Sequence, residues 1–312
     1  MSAELATGFC GIRLPHPIVN ASGCFDPIAA RRAFGEAVLE RFPFAAFVSK
    51  TITLEPRAGN PPPRLWETPA GLVNSIGLPN RGLEGFLEHD LSALGEVGVP
   101  LFVSVMSDSG EGFAALVERV AARTEVAAIE LNVSCPNVHS GLIVGERPAE
   151  TARLLEALRP LTAKPLIVKL TPNVADPAAV AAAAEASGAD AVSLINTLKA
   201  GALDPVTLRP WLGARRGGLS GPAVRAVALE QVRSVCAAVA IPVVGMGGVG
   251  SGADAAAMIA AGATLVAVGT ESFRDPCAGS RIRAELEADL GARGVGSPGQ
   301  LRGRALEAPG GA

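Results

Sequence analysis

The sequence contains no tyrosine, and its two tryptophans and ten phenylalanines make aromatics only 4% of the 312 residues. So few rings argue against an aromatic binding platform of the kind that stacks exposed bases. Charge of neither sign dominates: 27 basic and 30 acidic side chains are interspersed and leave a net −3. No basic stripe is present, so nucleic acid is not an expected partner. The three histidines, His16, His89 and His139, do not pair at ligand spacing, and the cysteines Cys10, Cys24, Cys135, Cys236 and Cys277 form no C-x-x-C. No metal site and no iron–sulfur nest is expected. An odd, scattered cysteine count suits a reducing cytoplasm. Long apolar runs are missing as well. Ala179–Ala186 is too short to cross a bilayer and is interrupted by Glu185. Met1–Phe9 lacks the basic region and apolar run of a secretory signal. A cytoplasmic chain without membrane attachment is expected.

What is abundant is small and apolar. Nearly half the residues are hydrophobic, and 36 are glycine, which suits tight helix–strand packing and many turns. Short runs of continuous apolarity recur at Pro17–Asn20, Ala45–Lys50, Leu101–Val105, Ala127–Asn132, Leu166–Leu170, Ala191–Ile195, Pro242–Met246 and Leu265–Val268. Strands buried on both faces look like this. Between them lie helical patterns such as Arg81–Leu94, Glu111–Arg123, Pro148–Leu158, Pro177–Ala186, Ala223–Val239 and Gly252–Ala260. Roughly eight β–α units in one chain predict a closed (β/α)8 TIM barrel, an α/β fold in a single domain spanning 1–312. Three connections exceed a turn. Residues 52–80 and 198–221 are long insertions of the functional kind, and 138–147 is a plausible lid with Gly141 and Gly145. The Gly-, Pro- and Arg-rich tail, 292–312, is expected to fray at its end.

The polar residues cluster at the strand exits: Asn20 with Ser22, Lys50 with Thr51, Ser104, Asn132 with Cys135, Lys169, Asn196 with Thr197, Gly247 with Gly248, and Gly269 with Thr270. In a barrel these converge on the rim where active sites of this fold lie. Each residue alone is unremarkable, since strand ends are generally polar. A ring of amides, hydroxyls and two lysines predicts a ligand site. Cys135, in N-V-S-C-P-N at 132–137, is either an inert core cysteine or a reactive one exposed on a loop where Pro136 ends the strand. Lys50 and Lys169 are either solvated or, in a barrel mouth, partly desolvated and in need of an anion such as a phosphate or a carboxylate. G-M-G-G-V-G at 245–250 matches a dinucleotide fingerprint, but it falls late in the chain and the next strand ends in Gly269-Thr270, not in an acidic residue. A phosphate site from the loops after the last two strands explains it better.

Taken together, N-A-S-G at 20–23, S-K-T at 49–51, G-N-P-P-P-R at 59–64, N-S-I-G-L-P-N at 74–80 and N-V-S-C-P-N at 132–137 resemble the dihydroorotate dehydrogenase family. V-K-L at 168–170, I-N-T at 195–197, G-L-S-G-P at 218–222, G-M-G-G-V at 245–249 and V-G-T at 268–270 continue the match in the family's order. The resemblance implies an FMN-dependent barrel that oxidises (S)-dihydroorotate to orotate in pyrimidine (UMP) biosynthesis. A cysteine where the membrane-associated class carries serine implies class 1. The wording of R-L-W-E-T-P-A-G-L-V-N-S-I-G-L is similar to the NAD-linked class 1B. That class implies a homodimer joined by a partner subunit carrying FAD and a [2Fe–2S] cluster, in a heterotetramer.

Position by position, the resemblance makes Cys135 the base that takes the C5 proton while C6 yields hydride to one FMN per chain. Lys50, Asn74, Ser75, Ile76, Gly77, Leu78, Asn132, Asn196 and Thr197 are implied as substrate contacts. Ser22, Lys50, Thr51, Ser104, Asn132, Lys169, Ile195, Gly221, Gly247, Gly248, Gly269 and Thr270 are implied as the FMN cradle, with no metal. Family members often carry asparagine where Ser104 stands. The rivals are the fumarate-linked class 1A, another FMN barrel such as a dihydropyrimidine dehydrogenase or enoate reductase, and a phosphate-binding barrel without catalysis.

Overall fold

The computed structural model describes residues 3–134 and 144–307. Eight parallel strands form one sheet: β1 (Ile18–Asn20), β2 (Phe47–Val48), β3 (Leu101–Val105), β4 (Val126–Asn132), β5 (Leu166–Lys169), β6 (Ala191–Leu194), β7 (Val243–Met246) and β8 (Leu265–Val268). Neighbours in the sheet are neighbours in the chain, and β8 pairs with β1 through Val266 opposite Ile18. All eight apolar runs of the sequence therefore became barrel strands. Helices follow the strands and pack outside, and several begin on a side-chain cap: Asp26 for Pro27–Phe34, Ser109 for Gly110–Ala121, Asp176 for Pro177–Ala186 and Ser251 for Gly252–Ala260.

Strand alternation divides the core in two. Val19, Val48, Phe102, Ala128, Ile167, Ala191, Val244, Met246, Leu265 and Ala267 point into the barrel. Ile18, Val103, Val105, Ile129, Leu131, Val168, Val192, Leu194, Val266 and Val268 belong to the larger cluster packed with the helices. A small antiparallel hairpin, Thr7–Phe9 with Ile12–Leu14, seals the floor. Its Phe9 and Leu14 join the interior cluster, and Phe9 stacks on Phe102 at 5.8 Å.

The last closure, between β1 and β2, is made partly by a side chain. Ala45 donates its amide to the Ile18 carbonyl at 2.9 Å. Above it the Asn20 amide replaces the ladder: its Oδ1 accepts from the Val48 N–H at 2.9 Å and its Nδ2 donates to the Val48 carbonyl at 2.8 Å. Strand β2 is shorter than its apolar run predicts. The Ser49 hydroxyl accepts the Ser104 N–H at 3.1 Å in place of a backbone carbonyl, and pairing resumes at Ile52 opposite Val105. That break leaves Lys50 and Thr51 at the mouth.

The insertions after β2 and β6 meet in a second, four-stranded antiparallel sheet, ordered Leu198–Ala200, Gly217–Ser220, Gly71–Asn74, Leu65–Thr68. Close backbone approach demands glycine here. A Cβ on Gly71 would lie 2.0 Å from the Ser220 carbonyl oxygen, and one on Gly218 would lie 1.9 Å from Thr197 Oγ1. At the other end of the chain, Val295 and Leu301 are buried, and Glu4 donates its amide to Gly296 at 2.9 Å. The fraying expected at the chain's end falls on 308–312, outside the described residues. No helix among the described residues is long and apolar enough to cross a membrane.

Candidate active site

The rim at the carboxyl ends of the strands carries a directed chain of hydrogen bonds. The Thr197 N–H donates to Asn196 Oδ1 at 2.9 Å, which turns Asn196 Nδ2 toward Asn132 Oδ1 at 3.4 Å. Asn132 Nδ2 in turn donates to Thr51 Oγ1 at 3.3 Å. Thr51 and Ser104 hydroxyls are 2.9 Å apart, and Ser104 Oγ donates to Glu130 Oε1 at 3.0 Å. An ionised carboxylate only accepts. Ser104 must therefore receive the Thr51 proton, and every donor in the chain points toward Glu130. Ser193 donates to the other carboxylate oxygen at 3.0 Å. Ser22 joins from the side, donating to the Ser49 carbonyl at 2.8 Å with Thr51 Oγ1 3.2 Å away.

Three charges sit in this mouth. Glu130 is 3% exposed and Lys169 6%, with Nζ 3.8 Å from Oε1. Lys50 has no carboxylate at ion-pair distance among the described residues, and its Nζ lies over the backbone of Gly23. Burial holds the Lys50 ammonium below the ordinary lysine value, opposed by the Cys24 thiol and Asp26. Burial also pushes the Cys24 thiol up, against the pull of Lys169 and Lys50 and with Glu130 adding to the rise. Two lysines against one glutamate leave the mouth positive, a field suited to anionic ligands.

A corner of bare backbone adjoins the lysines. Gly221, Gly247 and Gly248 all have positive φ, at 89°, 127° and 72°. A Cβ on Gly247 would come within 2.5 Å of Ala228 Cβ and 3.1 Å of Ile195, and one on Gly248 within 3.0 Å of the Gly221 carbonyl oxygen. Thr270 closes the corner, donating to Ser220 Oγ at 2.8 Å, and Gly269 lies against Ala21 and Cys24. Gly247 and Gly248 lead into the capped helix Gly252–Ala260. Amides free of side-chain cover beside a helix N-terminus form a phosphate-binding arrangement. Phosphate corner, cations and amide ring together fit FMN.

The loop 74–78 is held largely by residues that the sequence reading did not single out as site residues. Asn74 Nδ2 donates to the Gly218 carbonyl at 3.3 Å, which seats it beside Thr197. Asn60 Nδ2 donates to the Ser75 carbonyl at 3.2 Å and to Ser75 Oγ at 3.0 Å, and a Cβ on Gly77 would strike Asn60. Ile76 accepts the Asn60 N–H at 3.0 Å, and Leu78 adopts φ 52°. Asn173 ties down the far side by donating to the Thr197 carbonyl at 3.0 Å. The structure thus gathers Ser22, Lys50, Thr51, Asn132, Lys169, Asn196 and Thr197 at one mouth, with Asn74 beside them and the glycine corner adjoining. Ser104 is fully buried and spends its hydroxyl on protein partners. Asn20 serves the barrel seam instead of the rim. Cys135, together with residues 136–143 and so most of the expected lid, lies outside the described residues.

Glu130 and Ser193 were missed as well, yet a signal existed. Glu130 shares strand parity with Ala128 and Asn132, so a charge there has to face the barrel interior, and Ser193 follows Ala191 in the same way.

Fold and site together define a (β/α)8-barrel enzyme with a bare glycine corner and an amide-lined mouth. A family model described as dihydroorotate dehydrogenase matches residues 4–290. A Geobacter metallireducens protein named "Dihydroorotate dehydrogenase B (NAD(+)), catalytic subunit" is 43% identical over 304 residues, covering 96% of this chain and 97% of that protein. Its namesakes from Desulforudis audaxviator and Geobacter sulfurreducens are also 43% identical, the first covering 98% of both chains and the second 97% of this one and 98% of its own. The chain belongs to the dihydroorotate dehydrogenase family, a family of oxidoreductases.

Proposed function

We propose that this chain is the catalytic subunit of an NAD-linked, class 1B dihydroorotate dehydrogenase. It oxidises (S)-dihydroorotate to orotate for UMP synthesis in the cytoplasm. The observation that carries the reading is the directed amide chain Asn196–Asn132–Thr51, set between two partly desolvated lysines and a glycine corner. The amides of Asn74, Asn132 and Asn196 match the amides of a pyrimidine ring, and a ligand lacking them would leave buried groups unpaired. Lys50 is placed to meet the substrate's anionic charge. Ser75, Ile76, Gly77 and Leu78 would form the wall that Asn60 fixes.

Ser22, Thr51, Ile195 and Lys169 would hold the FMN ring, and Gly221, Gly247, Gly248, Gly269 and Thr270 its phosphate. Bound FMN supplies the hydride acceptor. The thiolate of Cys135 would accept the C5 proton at Sγ as hydride leaves C6. An unperturbed thiol with a pKa near ~8.5 is only partly ionised at neutral pH, so it needs activation or concerted hydride loss. The Lys169 ammonium would stabilise negative charge as it develops on the acceptor.

The described residues contain no His, Cys, Asp and Glu group able to hold a metal. Of the two G-x-G-x-x-G matches, 245–250 borders the glycine corner and 294–299 follows the helix Ala278–Ala292, so neither opens a Rossmann unit. Delivery to NAD+ therefore calls for a partner subunit with FAD and a [2Fe–2S] cluster, joined to a homodimer of this chain.

Anaerobic titration of the purified chain with dihydroorotate tests the reading. The chain should be yellow, bleach with dihydroorotate but not dihydrouracil, and reduce artificial dyes but not NAD+. Adding the partner should confer NAD+ reduction. A colourless chain would favour a phosphate-binding barrel, and bleaching by dihydrouracil another flavin reductase. NAD+ turnover by the lone chain at its dye rate would sink the partner, and rapid fumarate turnover would move the assignment to class 1A.

A further inference from the structure

We propose that Glu130 is a positioning residue that keeps the Lys169 ammonium charged and fixed at the mouth while touching no ligand itself. The proposal rests on the reading of this mouth as a flavin site. A carboxylate buried in a barrel interior is expensive unless paired and hydrogen-bonded. Glu130 meets both conditions. Each oxygen accepts a hydroxyl, from Ser104 and from Ser193, and the Lys169 ammonium lies 3.8 Å from Oε1. The chain of hydrogen bonds running from Thr197 ends on it. Ser104 and Ser193 are both buried.

Among the described residues Lys169 has no other carboxylate at ion-pair distance. The other titratable groups around the mouth among the described residues are Lys50, on the segment leaving β2, with Cys24 and Asp26 on the loop after β1, Asp26 acting on Lys50. Burial holds Cys24 in its neutral thiol form. Ser193, from β6, does not titrate. Without Glu130 a nearly dry ammonium would lose the carboxylate it pairs with, and desolvation then favours its neutral form.

Proton linkage converts this into a measurement. A flavin reduced to its anionic form takes up one proton with two electrons. If Lys169 is neutral beside the oxidised cofactor, the arriving negative charge draws a second proton onto Nζ. The midpoint potential of bound FMN is measured against pH from 7 to 9 in the holoprotein, by equilibrium with a reference dye. In the parent the slope should correspond to one proton throughout. In Glu130→Gln it should double, and Lys169→Gln added to that variant should restore the parental slope. A Glu130→Gln slope equal to the parent's, or a doubled slope that survives Lys169→Gln, overturns the proposal.

A second arm does not depend on the Glu130 variant folding. A second proton below pH 9 in the parent that disappears in Lys169→Gln shows an ammonium that Glu130 does not hold charged, and overturns the proposal equally. A parent that binds no FMN fails the functional reading itself, an outcome distinct from either slope.

Discussion

Replacing Asn20 opens the barrel where the sheet closes on itself. Its amide is the partner of both backbone groups of Val48, at 2.9 and 2.8 Å, and Nδ2 also reaches the Ala21 carbonyl at 3.1 Å. Asn20 is fully buried, so water cannot take over. Asn20→Ala therefore leaves a buried N–H and a buried C=O unpaired, each costing about 1–3 kcal/mol, or about 2–6 kcal/mol together. For a chain of this size that is a fall of roughly 3–9 °C in Tm.

Asn20→Asp keeps the shape and discriminates the cause. One oxygen still accepts the Val48 N–H, while the other faces the Val48 carbonyl as acceptor against acceptor. Its neutral acid can donate there, so the folded state favours the protonated form and the folded pKa is raised above the unfolded one. Relative to the parent, Asn20→Asp should regain stability toward pH 4 and lose it as pH rises to 7. Urea unfolding followed by far-UV circular dichroism reads both variants. Tryptophan emission would not serve, because Trp66 and Trp211 pack together 5.2 Å apart in and beside the four-stranded sheet, away from the seam. An Asn20→Ala loss under about 1 kcal/mol, or no acid recovery of Asn20→Asp, would refute the role of the amide in closing the barrel.

Other perturbations separate chemistry from scaffold. Cys135→Ala should retain FMN but slow flavin bleaching by dihydroorotate about 10²–10⁴-fold, the usual loss of a general base; stopped-flow bleaching near the parental rate would remove Cys135 from that role. Cys135→Ser should keep more activity at high pH than at neutral pH, since a hydroxyl is the weaker acid. His16 is lowered to about 4, by burial first and then by Arg283, while its Nδ1 accepts the Ile18 N–H at 3.3 Å. The unfolded chain therefore binds the extra proton from about pH 6.5 downward, and stability drains as pH falls from there toward 4, by about 3 kcal/mol in all. His16→Asn should flatten that acid limb in a pH series of urea unfolding curves. Lys50, lowered by burial, destabilises the folded chain most at neutral pH, and this cost is relieved as pH rises toward the ordinary lysine value of 10.5. Lys50→Met should accordingly stabilise the cofactor-free protein at pH 7 and raise the dihydroorotate concentration needed for bleaching; an unchanged substrate dependence would leave Lys50 merely solvated.

The barrel was legible because its strands are buried on both faces, and a run such as Leu101–Val105 has no other reading once eight of them alternate with helices. The rim was legible for a related reason, since polarity resumes where burial by helices ends. The four-stranded sheet was not. Its strand Gly217–Ser220 has two glycines and no apolar alternation, and it pairs with Gly71–Asn74, a partner far away in the chain. Only the assembled barrel brings the two insertions together. Glu130 was hidden by the opposite effect: a single charge inside an apolar run looks like noise until strand parity assigns it a face. Asn20 was read as a rim residue because a strand-end amide looks the same whether it serves a ligand or the backbone across a seam.

The floor hairpin and the β1–β8 ladder impose an order of assembly. Phe9, Leu14 and Val19 leave the ribosome first, yet their packing partners Leu265 and Ala267 arrive near the end of synthesis. Until then β1 has an unpaired edge and the hairpin has an incomplete bed. Such long-range pairings pay their loop-closure entropy before any contact rewards it. The earliest-made strands are therefore the last to be satisfied, and a chain stalled before β8 would expose the sticky N-terminal edge to its neighbours.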